Sequence, residues 1–219
     1  MKKILFLLLI ICFLILTMFK VDATNLTYPL IGKMIVIDPG HGGVDNGASY
    51  GEILEDEINL LISVKIKEEL EKNGAMVILT RDGDYDLSKP NAVYRKKSDF
   101  DNRIKLINNS GADMYLSIHL NFFSNAKYYG PQIFYTSCLK ENESIAKILQ
   151  EELNKNLNTK RDIKINSSTN YMYSKLNVTG VLVECGFLSN HQEREMLIKS
   201  EYQEKFASII TKAIINYYN

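Results

Sequence analysis

The sequence predicts a single α/β domain with a largely parallel or mixed sheet of about six strands, flanked by helices. Short apolar runs alternate with stretches of helical periodicity along residues 34–217, the pattern of a strand–helix–strand fold. The chain has 219 residues, enough for one domain with a sizeable core. Neither an internal repeat nor a low-complexity linker divides the sequence.

Five apolar runs have the length and composition of buried strands. They are MIVID (34–38), AMVILT (75–80), DMYLSIH (113–119), QIFYTS (132–137) and GVLVE (180–184). Helical stretches separate most of these runs, and such connections are typical of parallel strands.

Four stretches show the spacing of amphipathic helices. In the first, predicted over 56–73, apolar residues recur every four positions and Asn73-Gly74 marks the end. The other three helices are predicted over 92–109, 142–157 and 201–217. Each has one apolar face that we expect to cover the sheet.

The N-terminal segment, residues 1–23, differs from the rest of the chain. Lys2 and Lys3 precede an apolar run from Ile4 to Phe19, which is typical of a secretory signal peptide with a cut after Ala23. The alternative is an uncleaved N-terminal membrane anchor. Both interpretations predict an exported, extracytoplasmic protein, either secreted or membrane-anchored. Residues 24–33 would form a tether, and membrane contact would be confined to the N-terminal segment.

Charge and cysteine content exclude some functions. The 26 basic and 26 acidic residues balance, so nothing indicates a nucleic-acid partner. No CxxC or CxxH spacing indicates a structural zinc site. We expect Cys138 and Cys185 to be free, buried thiols, with a disulfide in the exported protein as the alternative.

Three of the apolar runs deliver an ionisable residue to one edge of the predicted sheet. His41 follows the first run, His119 ends the third, and Glu184 ends the last. Glu55 precedes the first helix and falls near the same edge if its loop folds back. Each residue alone fits a structural role, such as a core histidine or a salt-bridged glutamate. Together, two imidazoles and a carboxylate form a usual ligand set for catalytic zinc.

The loop around His41 is rich in glycine. Gly40, Gly42 and Gly43 allow sharp bends and close approach of a substrate or a metal ion. A phosphate-binding loop is the competing interpretation, but the chain has neither GxxxxGK[ST] nor GxGxxG. The loop therefore favours a metal site over a nucleotide site.

Five stretches resemble, in family order, the motif blocks of the zinc-dependent N-acetylmuramoyl-L-alanine amidases of bacterial cell-wall turnover. They are IVIDPGHGGVDNGA (35–48), EDEINL (55–60), LTR (79–81), SIHLN (117–121) and VLVECGFLSN (181–190). The resemblance implies that His41, Glu55 and His119 bind Zn²⁺ and that Glu184 is the catalytic glutamate. Residues 34–219 would then be the catalytic domain.

The short chain with its apolar N-terminal segment looks most like the germination-specific amidases of spore-forming bacteria. That resemblance implies peptidoglycan of the spore cortex as substrate, muramic-δ-lactam formation together with a deacetylase, and a lipoprotein of germination as a candidate partner. Two alternatives remain at this point. One is another zinc peptidoglycan hydrolase or deacetylase, and the other is a non-catalytic wall-binding protein on the same fold.

Several polar and aromatic residues near the motifs keep two interpretations each. Arg81 and Arg103 either form surface salt bridges or contact substrate. Tyr128, Tyr129 and Tyr135 either line a glycan groove or pack beside strands. Asp38 is a candidate acceptor for the second ring nitrogen of His41.

Overall fold

The computed structural model of the chain describes residues 28–166 and 170–219. The predicted signal peptide or anchor, residues 1–23, and the start of the tether lie outside the described residues. Residues 28–33 form a turn beside the domain, and Leu30 is fully buried in its core. The domain boundaries at residues 23 and 33 remain predictions.

Eight strands and five helices make up the described part of the chain. The strands are β1 (Met34–Pro39), β2 (Ser49–Tyr50), β3 (Ile53–Leu54), β4 (Met76–Leu79), β5 (Met114–Asn121), β6 (Gln132–Tyr135), β7 (Lys164–Ile165) and β8 (Gly180–Phe187). The helices are α1 (Glu55–Lys72), α2 (Arg95–Asn109), α3 (Lys140–Leu157), α4 (His191–Leu197) and α5 (Ser200–Tyr218), with a short 3₁₀ helix at Tyr173–Lys175. All five predicted strands and all four predicted helices are present, with ends shifted by a few residues.

Six of the strands form one mixed sheet in the order β4-β1-β5-β8-β6-β7. β4, β1, β5 and β8 run parallel to one another, whereas β6 runs antiparallel to β8. The prediction of a single α/β domain with a largely parallel or mixed sheet of about six strands is confirmed. The hairpin of β2 and β3 lies outside this sheet and leads directly into α1.

Apolar side chains cover both faces of the sheet. On one face, Ile35 and Ile37 of β1 belong to a core that α1, α3 and α5 complete. On the other face, Val36 packs with residues of α2 and of the segment 172–178. This arrangement explains the continuous apolar runs, because a strand covered on both faces has no solvent-facing side. Each fully buried aliphatic side chain contributes about 1.5–3 kcal/mol relative to an exposed one.

The described residues show the state of the two cysteines that follow the N-terminal segment. Cys138 and Cys185 are both free thiols, but Cys138 is exposed and only Cys185 is buried, so the expectation of two buried thiols was wrong for Cys138. Its position in the turn after β6 places it outside the core. None of the helices in residues 28–166 and 170–219 has the length and apolar character needed to cross a membrane.

Candidate metal centre

The four residues predicted to form a site meet at the carboxyl edge of the parallel strands. His119 in β5 lies directly opposite Glu184 in β8 in the strand register. His41 follows the end of β1, which pairs with the other side of β5. Glu55 is the first residue of α1, and the turn made by β2 and β3 returns it to this edge. The fold therefore assembles the side chains from four separate segments.

Three of these side chains point their ligand atoms at one place. His41 Nε2 lies 3.3 Å from Glu55 Oε1, and His119 Nδ1 lies 3.1 Å from the same oxygen. All three ligand atoms lie within 4.8 Å of one another. The two imidazole rings are nearly perpendicular, with centroids 5.0 Å apart.

This cluster fits a divalent metal ion such as zinc. Ligand atoms in a tetrahedral zinc site lie about 2.05 Å from the ion, which places them roughly 3.3 Å from one another. The two nitrogen-to-carboxylate distances above match that spacing. An imidazole nitrogen that lacks a hydrogen repels a carboxylate oxygen at this range unless a cation lies between them. The two nitrogens and the oxygen thus have the chemistry and spacing of a three-residue metal site.

Glu55 is held in place by backbone donors. Its Oε2 atom accepts a hydrogen bond of 2.7 Å from the Ala48 amide, and Oε1 accepts one of 3.2 Å from the Leu120 amide. Burial by itself opposes ionisation, but the adjacent imidazole rings of His119 and His41 outweigh it and lower the pKa of Glu55. The carboxylate is therefore ionised at neutral pH, as a metal ligand must be.

Two glycines make room for the ligands. A Cβ atom on Gly40 would stand 2.2 Å from the ring of His119, and one on Gly47 would stand 2.5 Å from Glu55 Oε2. Gly47 also has a positive φ of 68°, which other residues rarely adopt. At Gly40 the group that approaches closely is the ring of His119, whereas approach of a substrate or a metal ion remains a prediction. Gly47 was not singled out from the sequence, although the motif it lies in was.

Arg81 and Arg103 hold the backbone that carries His41, and both are buried. Arg81 donates hydrogen bonds to the carbonyl oxygens of Pro39 and Gly40, at 3.0 and 2.9 Å. Arg103 donates to the carbonyl oxygens of Pro39 and His41, at 2.8 and 2.7 Å. His41 has a φ of 63°, a strained conformation that these bonds fix. Of the two interpretations, the surface salt bridge was wrong, because both guanidinium groups are buried and Arg103 forms its ion pairs with Asp38 and Asp99 in the interior.

Asp45, not Asp38, faces the second nitrogen of His41. His41 Nδ1 lies 3.1 Å from Asp45 Oδ1, four residues along the chain. Asp38 instead pairs with Arg103 at 2.7 Å in the interior. Burial lowers the pKa of His41, but its hydrogen bond to Glu55 and the nearby carboxylates outweigh this and raise it. The suggestion of Asp38 as the acceptor was therefore wrong.

Glu184 lies beside the cluster with an unsatisfied carboxyl group. Among residues 28–166 and 170–219, no hydrogen-bond donor reaches its Oε2 atom, which is buried. Burial and the nearby Glu55 charge raise the pKa of Glu184 from 4.5 to about 8. The side chain lines a cavity of about 430 Å³ that His41 and His119 also line. A substrate in this cavity would reach all three side chains.

The three tyrosines named from the sequence lie apart from this cavity's lining. Tyr128 stacks on Phe187 with ring centroids 6.3 Å apart, and it remains half-exposed, as does Tyr129. Tyr135 is partly buried against the core. Tyr171 and Tyr173, in contrast, do line the cavity, and sequence reasoning did not identify them. Their stretch after β7 carries no periodic apolar pattern.

The fold is an α/β domain whose sheet carries two histidines and a glutamate at its carboxyl edge, with the half-buried acid Glu184 beside them. This combination is typical of metal-dependent hydrolases. A profile of the N-acetylmuramoyl-L-alanine amidase family matches residues 35–216. The chain therefore belongs to the N-acetylmuramoyl-L-alanine amidase family. This family is metal-dependent, in keeping with the His-Glu-His cluster.

Individual relatives agree with the family assignment. The germination-specific N-acetylmuramoyl-L-alanine amidase of Bacillus subtilis (strain 168) is 44% identical over 196 residues, which are 87% of this chain and 81% of the relative. The structure of the CwlD amidase from Clostridioides difficile, in complex with the GerS lipoprotein, matches with a TM-score of 0.80 and 40% identity, over 85% of this chain and 98% of that chain. The catalytic domain of the CwlV amidase from Bacillus (Paenibacillus) polymyxa var. colistinus matches with a TM-score of 0.73 and 26% identity, over 84% of this chain and 97% of that chain.

Proposed function

We propose that this chain uses Zn²⁺ to hydrolyse the amide bond between the lactyl group of N-acetylmuramic acid and L-alanine in peptidoglycan of the spore cortex. The observation that carries the proposal is the convergence of His41, Glu55 and His119 on one point beside the half-buried Glu184, in a chain of the amidase family. Membership of this family favours amide hydrolysis over the deacetylase and wall-binding alternatives.

His41, Glu55 and His119 would hold the zinc ion. Nitrogen and carboxylate ligands of this kind suit zinc better than magnesium or calcium, which prefer all-oxygen sites. When bound, the ion makes water more acidic and draws electron density from the carbonyl group under attack. Three protein ligands leave a position open for water or substrate.

Glu184 would move the proton. Its carboxylate accepts a proton from the attacking water and later delivers one to the departing alanine amine, so the carboxyl group ends as it began. Its strand position supports this role, because it lies beside His119 in the register and lines the same cavity. Its raised pKa suits a group that both takes and releases a proton near neutral pH.

The relatives support a setting in spore germination. One is named as germination-specific, and another was solved with a lipoprotein bound. By analogy, the product would be glycan stripped of stem peptide and ready for muramic-δ-lactam formation, and a lipoprotein would be the partner. We further propose that residues 1–23 direct export or anchor the chain, that 24–33 tether it, and that 34–219 form the catalytic domain.

Mass spectrometry of muropeptides tests the activity directly. Purified protein and Zn²⁺ are incubated with isolated cortex peptidoglycan, with and without a chelator. The expected products are peptides with a free N-terminal alanine and glycan without peptide, and chelation abolishes both. Release of acetate or of D-alanine instead would contradict the proposal.

Two glutamate variants test the proposed division of roles. Glu184→Gln should lower peptide release at least 100-fold while zinc still binds, because only the proton carrier is lost. Glu57→Gln is the control, since Glu57 is an exposed glutamate of α1. If Glu184→Gln kept most of the activity, another group would have to carry the proton.

A further inference from the structure

A chain of buried hydrogen bonds ends at the ring of His119. Asp38 Oδ2 accepts a hydrogen bond of 3.0 Å from Ser117 Oγ. Ser117 Oγ lies 3.0 Å from the hydroxyl group of Tyr173, which in turn lies 3.4 Å from His119 Nε2. This series of hydrogen bonds reaches the His119 ring at Nε2, on the side opposite to Nδ1, the atom that faces Glu55.

Asp38, the first residue in this series of hydrogen bonds, can only accept hydrogen bonds. Burial raises the pKa of Asp38, but the charge of Arg103 and hydrogen bonds from Thr80 and Arg103 outweigh this and lower it. Asp38 is therefore ionised, and its Oδ1 atom already accepts from Thr80 at 2.6 Å and from Arg103 at 2.7 Å. The single hydroxyl hydrogen of Ser117 must point at Oδ2.

Each hydroxyl group in this series of hydrogen bonds has one hydrogen to donate, and this fixes the direction of each bond. Because Ser117 gives its hydrogen to Asp38, it can only accept from Tyr173. Tyr173 gives its one hydrogen to Ser117, so its oxygen must accept from His119 Nε2. The hydrogen on Nε2 is then directed at Tyr173, which leaves Nδ1, the atom that faces His41 and Glu55, as the nitrogen available to bind a metal ion.

We infer that Tyr173 is a positioning residue for the metal site. Oriented by Asp38 and Ser117, its hydroxyl oxygen accepts from His119 Nε2 and fixes the tautomer whose Nδ1 can bind zinc. The inference rests on the proposed function. A ligand imidazole needs an oriented acceptor on its other nitrogen, and loss of such a partner typically costs 10–100-fold in metal affinity. Tyr173 has its hydroxyl group in the right place and is itself buried.

Packing alone is the competing role for Tyr173, because its ring belongs to the core on the α2 face of the sheet. Tyr173→Phe separates the two roles, since it keeps the ring and removes only the hydroxyl group. Tyr171→Phe is a matched control. Tyr171 lines the same cavity, but its hydroxyl group donates to Asp101 at 2.6 Å and does not touch the cluster.

Zinc affinity is the quantity to measure, by competition of the full-length protein with a chromogenic chelator. We expect Tyr173→Phe to bind Zn²⁺ 10–100-fold more weakly than the unchanged protein, and Tyr171→Phe to stay within about threefold of it. Equal affinity of Tyr173→Phe and the unchanged protein, or equal losses in both variants, would overturn the inference. Failure of the unchanged protein to bind zinc would instead overturn the proposed function.

Nitrogen NMR of the unchanged, zinc-loaded protein gives a second test that does not depend on any variant folding. The chain has only three histidines, so the ring signals are few. For His119, the hydrogen is expected on Nε2 and the zinc-bound nitrogen is expected to be Nδ1. A hydrogen on Nδ1 would overturn the inference, whatever the variants show.

Discussion

Glu184 should make the metal-free protein less stable as the pH rises. Its pKa of about 8 in the folded protein lies above the ordinary 4.5, so between these values the folded state holds a proton that the unfolded state has lost. The free energy of unfolding therefore falls as the pH rises, by about 1.4 kcal/mol per pH unit. Between pH 5.5 and 7.5 the loss amounts to about 2.5 kcal/mol for a folded-state pKa of about 8.

Glu184→Gln removes this titration and keeps the shape of the side chain. Other groups also contribute to the pH dependence, above all His41, whose raised pKa favours folding at lower pH. Their contribution is common to both proteins, so the difference between the two stabilities isolates Glu184. We expect Glu184→Gln to gain about 2.5 kcal/mol relative to the unchanged protein between pH 5.5 and 7.5.

Guanidinium unfolding in the presence of a chelator measures this difference. Midpoints and slopes are recorded for both proteins at several pH values, and the free energies of unfolding are compared. Parallel pH dependence of the two proteins would refute the argument that burial keeps Glu184 protonated. If the free energy of unfolding of Glu184→Gln rises with pH relative to that of the unchanged protein, Glu184 destabilises the fold. Such a loss of stability is common for active-site residues.

Three further predictions concern the frame of the site, and each is checked by thermal or denaturant unfolding. Gly47→Ala should lose more stability than Gly51→Ala and should also weaken zinc binding. Both positions have a positive φ, but only a Cβ atom on Gly47 would meet Glu55. Equal effects of the two substitutions would contradict this argument. Arg81→Lys should cost about 2–4 kcal/mol, since an ammonium group cannot reproduce the planar fork that holds four carbonyl groups; a neutral effect would contradict it. Ile62→Ala should cost about 2–5 kcal/mol, whereas Leu61→Ala, at a half-exposed neighbour, should cost far less; similar losses would show that the burial of α1 is misassigned.

The central strands β1, β5 and β8 could be predicted because each is covered on both faces. A run such as MIVID contains only residues that a buried strand accepts, so it has few other interpretations. Strands β2, β3 and β7 have two residues each and carry no such signal. They form because the chain around them is already fixed.

The predicted site residues lie together because parallel strands share one carboxyl edge. The contacts that support these residues could not be predicted from the sequence. Arg103 pairs with Asp38 across 65 positions, and Tyr173 meets His119 across 54. Such pairs depend on the packing of α2 and of residues 170–178 on the sheet, which no local pattern encodes. The error about Asp38 is local instead: His41 adopts a positive φ, and its ring faces Asp45, four residues along the chain.

The zinc content of three proteins tests the account most directly. Elemental analysis after dialysis against limiting Zn²⁺ should give one zinc ion per chain for the unchanged protein and for Glu184→Gln, and far less for Glu55→Gln. Full zinc content in Glu55→Gln, or loss of zinc in Glu184→Gln, would contradict the division between three metal ligands and one proton carrier.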